Sequence, residues 1–103
     1  MIYCRQVTRL AFVTSVDQDK DGTWWFAHVP REVRERLKRY EKRGNIAVIA
    51  TIGRTTWDAS LMPWADGSAQ IVLKKHVREA EDLKPHQRIT IVLQPRRSAA
   101  AAE

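Results

Sequence analysis

One order of elements occurs twice along this chain of 103 residues, and the repetition strongly constrains the fold. The stretch FAHVPREVRERL, residues 26–37, aligns with QIVLKKHVREAE, residues 70–81, and both contain Val-Arg-Glu. After a turn, each is followed by a segment rich in branched apolar residues, NIAVIATI in one case and RITIVLQ in the other. Such segments are typical of buried strands. The matching order supports an internal duplication of strand, strand, helix and strand.

The elements themselves follow from local pattern. Apolar and β-branched runs between turn residues predict six strands, at residues 8–16, 23–29, 45–52, 55–62, 69–73 and 88–94. Pro30 suits the first turn of a helix, and the apolar stripe of Val33, Leu37 and Tyr40 predicts that this helix reaches Arg43. Gly44 stands where a left-handed helix cap is expected. A second helix is predicted over residues 74–83.

Two units of this kind close most economically into a barrel, because closure removes the exposed edges of a flat sheet. We therefore expect a mainly β (α+β) fold, a small six-stranded barrel with two short helices at its ends. Residues 1–95 are expected to form this single domain. The remaining residues 96–103, RRSAAAAE, are expected to form a flexible tail.

Composition narrows the class of protein. The chain has 18 Lys and Arg against 12 Asp and Glu, a formal net charge of +6, and a pI near 10.0. A cationic surface of this kind attracts nucleic acid without sequence preference, although it also keeps a protein soluble. The single cysteine, Cys4, has no partner within the chain for a disulfide. With no long apolar run and no signal-peptide pattern, we expect a cytoplasmic protein.

The segments SLMPWADG, IVLKKHVRE and ITIVL together resemble a family of small bacterial and archaeal β-barrel domains of unknown function. Members of that family occur alone or joined to bacteriocin-protection (YdeI/OmpD-associated) segments. The resemblance covers roughly residues 8–95. It implies a barrel related to the double-split or cradle-loop type, with no established reaction or ligand.

Residues 73–93 also resemble, more distantly, the AbrB-type DNA-binding fold, in which a strand, a short helix, a Gly-Asp turn and a strand recur. The turn in this chain is Pro85-His86-Gln87, so the Gly-Asp pair is absent. AbrB-like barrels also usually combine two chains, whereas this chain supplies both halves itself. The resemblance therefore favours the fold more than DNA binding.

The residue pattern does not indicate an active site. Ser60 lies outside any Gly-x-Ser-x-Gly elbow, and Ser68 lies in a turn where local backbone hydrogen bonding is its ordinary role. DQDKDG, residues 17–22, has alternating acids but lacks the later glutamate of a calcium loop. No histidine has a metal-ligand spacing. We expect no catalytic residue, no metal site, no cofactor and no enzyme activity.

Binding is the better-supported class. The first hypothesis is a module for a ligand or protein partner at the barrel end, where a turn tryptophan and cations favour an anionic or planar ligand. Its candidate residues are Arg54, Ser60, Trp64, Lys74, Lys75 and Arg78. An edge tryptophan that only covers the barrel end is the structural alternative.

The second hypothesis is weak, largely sequence-independent nucleic-acid binding through the basic faces of the helices. Its candidate residues are Arg31, Arg34, Arg36, Lys38 and Arg39. The alternative is an ordinary solvated helix face, because Glu32, Glu35 and Glu41 lie at helical spacings from these cations.

Overall fold

The computed structural model describes residues 9–96. Cys4, the predicted start of the first strand at Thr8, and residues 97–103 of the predicted tail lie outside the described residues. The elements run β1 Leu10–Gln18, β2 Trp25–Val29, α1 Arg31–Leu37, β3 Glu41–Lys42, β4 Asn45–Ile52, β5 Thr55–Pro63, β6 Ala69–Val72, α2 Lys75–Ala80 and β7 Arg88–Pro95. A short 3-10 turn, Lys38–Tyr40, joins α1 to β3.

Six of these strands form a closed barrel in which every pairing is antiparallel. The strand order is β4-β5-β6-β2-β1-β7, and pairing between β4 and β7 closes the ring. β3 pairs only with the beginning of β4 and extends the sheet beyond the ring. The expectation of a mainly β fold, with a six-stranded barrel and two short helices, is confirmed.

Alternating burial, clearest in β4, separates the barrel interior from its outer wall. In β4, Ile46, Val48, Ala50 and Ile52 are buried, and the residues between them are more exposed. Each helix adds apolar side chains to the same core, Val33 and Leu37 from α1 and Val77 from α2. Full burial of a side chain of this size contributes about 1.5–3 kcal/mol.

The first helix is shorter than its sequence pattern predicts. It ends at Leu37, and the predicted helical continuation to Arg43 is wrong. Glu41 and Lys42 instead pair with Ile46 and Asn45, and Arg43 and Gly44 form the connecting turn with φ of 52° and 83°. Two consecutive positive φ values are typical of a type I′ hairpin turn. Gly44 therefore serves a hairpin and does not cap a helix.

The strand pairings reproduce the internal repeat. The pairing scheme stays the same when β1 is exchanged with β5, β2 with β6 and β4 with β7. The β1–β2 pair then becomes the β5–β6 pair, and the β1–β7 pair becomes the β5–β4 pair. The β2–β6 and β4–β7 pairs are each exchanged with themselves. The registers agree as well, since Val16 opposite Ala27 corresponds to Leu61 opposite Ile71. The barrel therefore has the pairing scheme of a pseudo-twofold duplication.

Two glycines with similar backbone geometry give a test of the contact between α2 and the β4–β5 turn. Gly53 and Gly44 both have positive φ, at 58° and 83°. A Cβ at Gly53 would collide with the carboxylate of Glu81, whereas a Cβ at Gly44 would meet nothing within 4 Å. Glu81 Oε2 accepts hydrogen bonds from Thr55 Oγ1 at 2.6 Å and from the Arg54 amide at 3.3 Å.

We expect Gly44→Ala to destabilise the fold by about 1–2 kcal/mol, the penalty of a left-handed L-residue. Gly53→Ala should destabilise it by roughly 1–2 kcal/mol more, because the Glu81 hydrogen bonds are lost as well. Urea denaturation of both variants measures the difference. Equal destabilisation would show that Glu81 does not hold the turn.

Candidate functional site

Two adjoining hollows lie on the outer wall of the barrel, over strands β5, β6 and β2. Both are bordered by Met62 on β5 and Val72 on β6, so the two hollows share one edge. Each side chain is half-buried and lies on the outward face of its strand, because its neighbours Leu61, Ile71 and Leu73 are buried in the core. Together the hollows form one groove, which we call the wall groove.

The larger part of the wall groove is apolar and has a volume of about 450 Å³. It is lined by Trp24, Phe26, Met62, Trp64 and Val72, with Asp19 and Gln70 at its edges. Trp24 is 58% exposed and Trp64 is 46% exposed. Among the described residues, the only other large hydrophobic side chain with such exposure is Val13. Two of the three exposed large hydrophobic side chains in the described part of the chain therefore border one hollow.

Backbone hydrogen bonds fix the two segments that carry these tryptophans. Asp19 Oδ1 accepts from the Thr23 amide at 2.9 Å and from the Trp24 amide at 3.2 Å. The Trp64 amide donates to the Ser68 carbonyl at 2.9 Å, which closes the β5–β6 turn. The exposed indoles therefore extend from ordered loops.

The smaller part of the wall groove is polar and has a volume of about 340 Å³. Besides the shared edge it is lined by Asp58, Ala59, Ser60, Lys74 and Arg96. Arg96 Nη1 lies 3.2 Å from Asp58 Oδ2, and the Arg96 amide donates to the Ala47 carbonyl at 3.0 Å. This part carries one net positive charge, from two cations and one carboxylate.

A third hollow of about 500 Å³ lies at the other end of β6, between His28, Arg31, Glu32, Asp66 and Ser68. Arg31 Nη2 donates to the Asp66 carbonyl at 2.7 Å, and Asp66 Oδ1 accepts from Ser68 Oγ at 2.6 Å and Ser68 N at 2.8 Å. The hydrogen bonds from Ser68 hold the pKa of Asp66 below its ordinary value, and the nearby His28 and Arg31 act in the same direction. The arrangement is an ordered turn.

The structure brings together part of the predicted ligand set. Ser60 and Lys74 line the polar part of the wall groove, and Trp64 lines the apolar part. The other three lie outside both linings: Arg54 in the β4–β5 turn, and Lys75 and Arg78 on α2.

Each of the three residues outside the groove has contacts of its own. The Arg54 amide donates to Glu81 Oε2 at 3.3 Å. Arg78 Nε donates to the Leu73 carbonyl at 3.2 Å, and its guanidinium lies 4.7 Å from the ring centre of Trp25. Lys75 lies 4.0 Å from Glu79 in an exposed helical pair. Arg54, Lys75 and Arg78 therefore do not line the wall groove, and their part in ligand binding stays a prediction.

Sequence reasoning missed several lining residues, namely Asp58, Met62, Val72, Phe26, Gln70 and Arg96. A signal for Asp58 existed, because the alternation of β5 places it on the same face as Ser60. The neighbouring residues Trp24 and Trp25 offer a second signal, because adjacent residues of a strand point to opposite faces, and the exposed indole is Trp24. Arg96 had no such signal, since it was predicted to belong to the tail.

Some of the cations in the nucleic-acid hypothesis contact other residues of the protein, and the others are exposed to solvent. Arg34 is half-buried and lies 3.7 Å from Glu41, and Arg39 donates to the Tyr40 hydroxyl and lies over its ring. Arg31 holds the Asp66 carbonyl. Arg36 and Lys38 are exposed. Nucleic-acid binding by this helix stays a prediction, for which an affinity that falls steeply with salt is the test.

The internal repeat shows that the fold does not require apolar residues at the outer positions that line the groove. By the pairing registers, Trp24 corresponds to Ser68, Phe26 to Gln70, Met62 to Asp17 and Trp64 to Asp19. Interior positions instead remain apolar in both halves: Val16 corresponds to Leu61, Ala27 to Ile71, Val29 to Leu73 and Val33 to Val77. The same barrel positions thus tolerate polar residues outside the core. Folding alone does not demand an apolar groove.

Two further features are absent from residues 9–96. No helix in that range is long and apolar enough to span a membrane. The same residues contain no group of three or more His, Cys, Asp or Glu side chains placed to hold a metal ion.

Comparison with known proteins gives one family. The description of that family is "Domain of unknown function (DUF1905)", and it matches residues 12–93. The match confirms the resemblance to a small-domain family of unknown function. No curated protein matches this chain.

The Ser68–Asp66 contact gives a pH test. Because the folded-state pKa of Asp66 is lowered, its contribution to stability is fully present above the ordinary aspartate pKa of about 3.9. That contribution is lost as pH falls through the lower folded-state value. Ser68→Ala should shift the Asp66 carboxyl titration, followed by NMR, toward the ordinary value. An unchanged titration would show that Ser68 does not stabilise the carboxylate.

Proposed function

The chain belongs to this family of unknown function, and we propose that it is a binding module whose ligand occupies the wall groove. The ligand class is a small molecule with a planar apolar group, which lies against Trp24 and Trp64. Aromatic faces bind planar groups by offset stacking and by removal of apolar surface from water. The barrel supplies the rigid wall on which both indoles are carried.

One observation carries this proposal: two exposed tryptophans border the same apolar hollow of about 450 Å³. Exposed apolar side chains scattered singly are ordinary on a protein surface, but a contiguous patch is typical of an interaction site. The repeat adds support, since the corresponding positions of the other half carry serine, glutamine and aspartates.

The size and shape of the hollow support a small molecule. Ligand pockets generally measure about 300–1,000 Å³ and are mainly apolar, with a few polar groups that set orientation. The apolar part falls in this range, and Gln70 and Asp19 supply polar atoms at its edge. We propose that this binding is non-enzymatic.

The test uses phenylnaphthylamine, an uncharged planar probe whose fluorescence rises in apolar sites. We expect saturable binding to the native protein. Trp24→Ala and Trp64→Ala should each weaken this binding by about tenfold, because each removes one aromatic face. Titration at fixed protein concentration gives the dissociation constants.

Val13→Ala is the matched control, because Val13 is 53% exposed and lies on β1, outside the groove lining. It should leave the dissociation constant unchanged. Equal effects of Val13→Ala and Trp64→Ala, or no saturable binding at all, would contradict the proposal. Thermal unfolding of all three variants confirms that each remains folded.

A further inference from the structure

We infer that the ligand of the wall groove carries an anionic group, which binds Lys74 and Arg96 in the polar part and displaces Asp58 from Arg96. This inference rests on the proposed function, since it concerns the other end of the same groove. The shared edge of Met62 and Val72 places the polar part directly beside the apolar part. One small molecule can therefore contact both.

Arg96 is held in place by its backbone while its guanidinium is incompletely paired. Its amide donates to the Ala47 carbonyl, so the residue continues the pairing of β7 with β4. Nη1 contacts Asp58, whereas Nε is buried and has no hydrogen-bond partner within the described part of the chain. A guanidinium favours acceptors that bind two of its N–H groups at once. Asp58 alone leaves this capacity partly unused.

Lys74 supplies the second positive charge of the polar part. It is exposed, and the ion pairs within residues 9–96 do not include it. Lys74 lies at the N-cap of α2 with φ −68° and ψ 155°, an extended backbone that separates β6 from the helix. The local charge therefore favours an anion over a cation or a neutral group.

Asp58 has a defined role in this arrangement. Its side chain is 66% exposed and its Oδ2 lies 3.2 Å from Arg96 Nη1, so it pairs with the guanidinium in the absence of ligand. An incoming anion competes with Asp58 for Arg96 and is repelled by its charge. Asp58 therefore lowers the affinity for anionic ligands more than the affinity for neutral ones.

The experiment compares anilinonaphthalene sulfonate with phenylnaphthylamine, which have the same rings with and without a negative charge. We expect the sulfonate to bind the native protein more tightly, with an advantage that shrinks as salt is added. Asp58→Asn should tighten sulfonate binding by about twofold to fivefold, in the range of one exposed charge pair. Arg96→Gln and Lys74→Gln should each weaken it by a similar factor. For each of the three variants, the change in binding of the sulfonate should exceed any change in binding of the neutral probe.

Asp82→Asn is the charge-matched control. Asp82 forms an exposed ion pair with Lys84 at 3.1 Å, so its substitution removes the same charge and the same kind of contact outside the groove. If Asp58→Asn and Asp82→Asn change sulfonate binding equally, the effect is only the net charge of the protein and the inference is wrong.

The neutral probe separates the two proposals. Neutral binding without a sulfonate advantage overturns the anionic-group inference and leaves the proposed function standing. If neither probe binds, both are overturned.

Discussion

The pairing of β4 with β7 is the contact on which the remainder of this structure depends. Four residue pairs join β4 to β7, from Val48 opposite Pro95 to Thr51 opposite Val92. Without them the sheet would have two unpaired edges, and the apolar faces of the strands would not enclose a common core. Closure therefore both satisfies the backbone groups and defines an inside and an outside. The wall groove lies on the outer face of β2, β5 and β6, which is not buried in the core.

A duplicated scaffold with an asymmetric surface is the second feature of the molecule. The pairing scheme is unchanged when the two halves are exchanged, and interior positions stay apolar in both. The outer wall does not follow this rule, since Trp24 and Phe26 correspond to Ser68 and Gln70. The core is apolar in both halves, whereas an aromatic residue of the outer wall in one half corresponds to a polar residue in the other, so folding does not require the aromatic residues of the wall.

The sequence was sufficient to predict most of the architecture, because burial alternation and turn residues are local signals. The six barrel strands, the two helices and the repeat all follow from such signals. The end of α1 does not follow from such signals. Residues 38–43 are compatible with a helix, and only the pairing of Glu41 and Lys42 with β4 selects the 3-10 turn and the hairpin. Local propensity was overridden by strand pairing there.

The groove was only partly predictable, for a related reason. Trp64, Lys74 and Ser60 were singled out as polar or aromatic residues near one turn and helix. Their neighbours Trp24 and Phe26 come from the other half of the chain, and they reach the groove only through the pairing of β2 with β6. Arg96 was assigned to the tail because no sequence pattern reveals its hydrogen bond to Ala47.

The four tryptophan indoles provide the most direct measurement of the central claim. In a heteronuclear NMR titration with phenylnaphthylamine, the indole N–H signals of the exposed Trp24 and Trp64 should move together and saturate. Those of Trp57, buried in the core, and Trp25, which lies against the Arg78 guanidinium, should stay nearly fixed. Movement confined to Trp25 or Trp57, or a uniform shift of all four signals, would contradict a ligand site on the outer wall.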